Sequence, residues 1–201
     1  MARPDRDAQA ARVMTGPWLW YVSRAAGVVT LVLLTLVALL GMFTAARVRP
    51  RLAISAVAMG LHRTLALGTI VFLAAHIVTA TVDTYVHLGW LSMVVPFTAG
   101  YERQWVALGT LALDILLAVV TTSVLRHRLP TRMWRAVHLL AYAMAPLAVV
   151  HGLTMASARD PALFAVTVAC GVALAVGAVW RWVLPDADRH RRSDIAAQEW
   201  T

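Results

Sequence analysis

The sequence predicts an all-α protein, a polytopic membrane helix bundle with about five transmembrane helices. Two observations predict it. Of 201 residues, 60% are hydrophobic and 14% charged, and the mean hydropathy is +0.70; a soluble domain carries roughly 25% charged residues. The apolar residues also fall into five runs, each long enough for a hydrocarbon core that takes roughly 20 helical residues to cross.

Residues 1–16 form a polar N-terminal tail with three arginines and two aspartates. Pro17 opens the first apolar run, about 18–44, as proline suits the first helical position. This run is longer than a signal-peptide core and is expected to remain as an anchor. The second run is about 56–81. The third, about 104–125, is closed by Arg126 to Pro130. The fourth is about 135–156, and the fifth, about 162–184, is bracketed by Pro161 and Pro185. Residues 17–184 thus read as one membrane domain and 185–201 as a cytoplasmic polar tail. The connection Val82 to Arg103 contains LGWLSMVVPF, too apolar for a solvated loop and too short to span. It is expected to pack over one end of the bundle as an interfacial or re-entrant segment.

The formal charge is +8, carried by 18 arginines and no lysine. These arginines lie between the apolar runs instead of forming one basic patch, so lipid headgroups and topology account for them and nucleic acid does not. Arg47, Arg49, Arg51, Arg126, Arg128, Arg132, Arg135, Arg181, Arg189, Arg191 and Arg192 fall on one side. The other side has only Arg103 and Arg159 in its loops, besides the tail. The positive-inside rule therefore puts the N-terminus outside and the C-terminus in the cytoplasm, in a multi-pass protein of the plasma membrane.

Two helices carry the chemistry. The stretch Leu61 to Ala80 holds His62 and His76, and Arg135 to Ala156 holds His138 and His151. An ionisable side chain inside a membrane is costly and marks a functional site by default. His62 and His76 are 14 residues apart, which brings them within about 40° of one face and about 21 Å apart along the axis. Even-numbered spans run in the same direction, so His62 pairs with His138 near one membrane face and His76 with His151 near the other. Each pair can supply both axial nitrogens of a heme, and pairs about 20 Å apart cannot converge on one non-heme ion. The lone Cys170 leaves no CxxCH, so any heme is held non-covalently. His138 and His151 are only 13 residues apart, which in an ideal helix leaves them about 140° apart. Pro146 lies between them and can alter the winding.

HRTLALGTIVFLAAH and HLLAYAMAPLAVVH, together with WLWYVSRAAG and WVALGTLALDILL, resemble the ferric reductase-like transmembrane domain over roughly residues 18–184. That family includes ferric reductases, NADPH oxidases and the heme subunit of bacterial sulfoxide reductase systems, and the 14-then-13 spacing is similar to that of the NADPH oxidases. The resemblance implies two b-type hemes with His62, His76, His138 and His151 as bis-histidine ligands. Family oxidases usually have six helices, against five here. About 17 residues follow the fifth helix and no glycine-rich nucleotide fingerprint occurs, so no FAD or NAD(P) site is expected in this chain. The electron donor is then a separate flavoprotein reductase or quinol, and the acceptor at the outer face is unnamed. The expected function is that of a membrane-embedded di-heme cytochrome b moving electrons across the bilayer. A non-catalytic heme-binding or structural subunit of a redox complex, and a heme-free transporter component, stay open beside it.

Arg24 in helix one suits a heme propionate or a headgroup, while Arg63 and Arg135 read as snorkelling. Asp114 is expected to hydrogen-bond a neighbouring helix, with proton movement as the other reading. His87 reads as an interfacial residue or a contact of the outer heme. His127 and His190 read as solvated. Phe72 and Tyr142 read as core packing or as spacers between hemes, and Trp18, Trp20, Trp90, Trp105, Trp134 and Trp182 as an aromatic belt.

Overall fold

The computed structural model describes residues 18–45, 52–83, 86, 88–156 and 160–198. The N-terminal tail, Arg47, Arg49, Arg51, His87 and Arg159 lie outside them. The helices are α1 (Trp18–Ala45), α2 (Leu52–Val82), α3 (Arg103–Val124), α4 (Thr131–Leu139), α5 (Ala141–Met155) and α6 (Pro161–Gln198), and no strand occurs among the described residues. Five segments are long and apolar enough to cross a membrane: Trp18–Thr44, Ala56–Val82, Arg103–Val124, Thr131–Met155 and Pro161–Val183. The predicted five-span bundle is thus what the chain forms.

α1 is the hub, packing on α2, α5 and α6, while α3 packs on α4 and α5. Leu34 of α1, Ala112 of α3 and Met144 of α5 meet at the centre, with Ile115, Leu116 and Leu147 around them. The outward surface is apolar: Leu67, Val71, Leu117, Val176 and Val179 are all exposed, as suits helices whose solvent is lipid and whose backbone polar groups are satisfied internally. The spanning part of α2 has the smallest buried share of the five, 6% against 33% for α1. It leans on α1 alone among the helices, and the two histidine-bearing spans are not among the packed helix pairs of the described residues.

Two elements depart from the sequence reading. The fourth span is two helices broken at Leu140, where the Leu140 N–H bonds to the Val137 carbonyl and the Ala143 N–H to the Leu140 carbonyl. These are three-residue steps, tighter than α. The fifth helix does not stop at Pro185 but continues to Gln198. Proline there removes one N–H, and the segment DADRHRRSDIAAQ after it is rich enough in good helix formers to carry the helix on.

The Val82 to Arg103 connection packs as expected. A 3₁₀ turn at Trp90–Met93 touches α2 and α3, and Thr110 Oγ1 donates to the buried Ser92 carbonyl at 2.7 Å. Gly89 enters the turn at φ 80, a conformation that favours glycine. Trp90, Leu91, Val94 and Phe97 face outward, the exposed apolar surface an interfacial segment presents.

Candidate functional site

The structure joins His76 of α2 to His151 of α5. Their ring centroids are 6.5 Å apart with planes at 72°. Imidazoles on opposite sides of one metal, with bonds of about 2.0 Å and the half-width of each ring added, have centroids about 6 Å apart. The separation is one that would leave room for a single metal atom between the two rings. Among the described residues His62 and His138 make no such ring contact, so only one of the two expected pairs meets ring to ring.

Three of the rings are oriented by backbone. His76 Nδ1 donates to the Ser23 carbonyl at 2.7 Å, His62 Nδ1 to the Val37 carbonyl at 3.0 Å and His151 Nδ1 to the Trp105 carbonyl at 2.8 Å. A carbonyl can only accept, so in each ring Nδ1 carries the proton and Nε2 keeps its lone pair. That is the tautomer a metal ligand needs, fixed by the hydrogen bond its other nitrogen makes. Ser23 adds a return bond, its hydroxyl donating to the His76 carbonyl at 3.2 Å.

Glycines make room for these rings. A Cβ built on Gly27 would lie 2.9 Å from His76 Nδ1, one on Gly109 2.9 Å from His151 Cε1, and one on Gly41 3.5 Å from His62 Cε1. Gly27 and Gly41 are 14 residues apart on α1, as His62 and His76 are on the antiparallel α2. Sequence reasoning missed these glycines. Their matched 14-residue spacing was the available signal.

His138 differs. Its Nδ1 is buried without a partner, as is the Nε1 of Trp134, on which its ring stacks at 5.2 Å. Arg126 also lies over Trp134, 5.3 Å from the ring centroid.

Arg24 stands near the His76 and His151 end, but its partners are protein groups. Its guanidinium pairs with Asp160 at 2.7 Å, donates to the Met155 carbonyl at 3.3 Å and lies over Trp20. Arg63 and Arg135 are exposed, in keeping with snorkelling. Among the described residues Asp114 makes no side-chain hydrogen bond or ion pair. Phe72 and Tyr142 are both 41% exposed and are not core residues. His127 is exposed in a 3₁₀ turn, whereas His190 lies in α6 beyond the residues with described side chains. Trp18, Trp90, Trp105 and Trp182 are exposed near span ends, as a belt requires.

Among the described residues no group of three or more His, Cys, Asp or Glu gathers as a metal site; the histidines come in twos. Beyond the end of α2 lies a hollow lined by Thr81, Asp83, Leu88, Trp90 and Thr98. In comparisons with known proteins, the family model described as ferric reductase like transmembrane component matches residues 26–149. No curated protein and no solved structure matches the chain.

Proposed function

The chain belongs to the ferric reductase-like transmembrane component family, a family of membrane redox components, and from that membership we propose that it is a di-heme cytochrome b. It carries electrons across the plasma membrane between a separate donor, a flavoprotein or quinol, and an acceptor at the outer face. The observation that carries this reading is the opposed pair His76 and His151, at 6.5 Å with Nδ1 of each ring tied to a backbone carbonyl. In the family heme is the usual cofactor. His76 with His151 would hold one b-type heme and His62 with His138 the other. A bis-histidine heme supplies a centre that accepts one electron and gives it up again with little change in ligation.

The rest is the work of this chain's own side chains. The carbonyls of Ser23, Val37 and Trp105 hold three imidazoles in one tautomer and one orientation, so no ligand need turn when charge changes. Apolar spans keep water from the path between the pairs. About 21 Å of helix separates the two histidines of α2, so the two sites lie at different depths and together cover most of a hydrocarbon core of about 30 Å. Arg24 stands at the outer end of this arrangement, where a propionate would compete with Asp160 for its guanidinium. The exposed turn at Trp90 and the neighbouring hollow lie at the same end, open to the acceptor.

A reduced-minus-oxidised spectrum of the purified protein tests this reading. The expected result is a b-type α band with two hemes per chain. Replacing His62 or His138 should remove one heme and replacing His76 or His151 the other. No band refutes the heme, and a crossed pattern such as joint loss with His62 and His151 refutes the pairing.

A further inference from the structure

The four histidines are not seated alike. His76, His62 and His151 each lie over a glycine of the neighbouring helix, and each donates Nδ1–H to the carbonyl four residues before that glycine. These are Ser23 before Gly27, Val37 before Gly41 and Trp105 before Gly109. In an α-helix that carbonyl is also the acceptor of the glycine's own N–H. At Gly27 and Gly109 the two features belong together, because a Cβ there would lie 2.9 Å from the ring, whereas at Gly41 it would make an ordinary contact at 3.5 Å.

His138 has neither feature. No described glycine meets its ring and its Nδ1 is buried without a partner.

We propose that Gly27 and Gly109 are positioning residues for His76 and His151. His138, which has no such seat, is the exchangeable ligand, and the site it shares with His62 holds heme less tightly than the site of His76 and His151. The inference rests on the di-heme reading given above. A bonded Nδ1 fixes the tautomer, aims Nε2 and raises its basicity, and loss of such a partner typically weakens metal binding by about 10- to 100-fold. His138 keeps only its stack on Trp134 to aim it.

Heme loss reads this directly. The detergent-solubilised holoprotein is mixed with excess apomyoglobin as scavenger and the transfer is followed by absorbance. Two phases of equal amplitude are expected, with rates at least about tenfold apart. Gly109→Ala should accelerate the slow phase alone. Gly41→Ala, whose methyl would meet His62 at an ordinary 3.5 Å, should leave both phases unchanged. A single phase from protein that carries both hemes overturns the inference and leaves the di-heme reading standing. So does a fast phase accelerated by Gly109→Ala. A preparation without any b-type band overturns both. If either variant fails to fold, His138→Ala decides, since it should remove the fast phase and retain the slow one; retention of the fast phase refutes the assignment.

Discussion

An imidazole inside a membrane has two nitrogens to account for, and what happens to the second decides what the first can do. At His62, His76 and His151 a backbone carbonyl takes the Nδ1 proton, leaving Nε2 with its lone pair. The tolerance of the supporting glycines depends on distance. Gly27→Ala would press a methyl to 2.9 Å from His76, whereas Gly41→Ala would meet His62 at 3.5 Å, an ordinary contact. Gly27→Ala is therefore expected to cut heme content from two per chain to one, and Gly41→Ala to leave it at two, as measured by pyridine hemochrome against protein concentration. The histidines are legible in the sequence because ionisable groups are rare in apolar runs. The glycines are not, because a residue with no side chain declares nothing until its neighbour is known. Asp114 is legible as unusual, and among the described residues it has no hydrogen-bond partner that the sequence could have named.

Among the elements, the fourth span reduces the difficulty of 13-residue spacing. Each residue in a 3₁₀ step turns about 120° where an α residue turns about 100°. Three such residues add about 60° of the roughly 100° that a shortfall of one residue leaves, so the tightened turn at Leu140 turns His138 part of the way toward the face of His151. Pro146, the natural suspect in the sequence, sits inside α5 without breaking it, and no glycine or proline announces the break at Leu140. Inserting one alanine after Leu140 would turn α4 by about 100° relative to α5. The expected outcome is loss of the heme of His62 and His138 with retention of the other, seen as halving of the b-type band. The other spans end within a few residues of the ends that the apolar pattern predicts. The exception is α6, where Pro185 reads as a stop. Proline ends a helix only if the lost hydrogen bond and the ring clash outweigh the helix propensity of the residues after it.

In the whole molecule, the number of spans and the apolar exterior are legible, because bilayer thickness and 3.6-residue periodicity constrain them. The packing order is not. Nothing in the sequence says that α1 is the hub or that the two histidine spans do not pack on each other. Orientation rests on the arginine distribution, and a green fluorescent protein fused after Thr201 should fluoresce, with an outward reporter fusion at that end staying inactive. An active outward reporter would reverse the proposed direction of electron flow. The antiparallel match of α1 with α2 has one more consequence. Because Gly27 and Gly41 on α1 repeat the interval of His76 and His62 on α2, one helix-on-helix alignment serves both membrane depths. A slip by a single residue would spoil both seats at once. The two redox centres thus share a common ruler, and substitutions that move α1 along α2 cannot retune one centre while sparing the other.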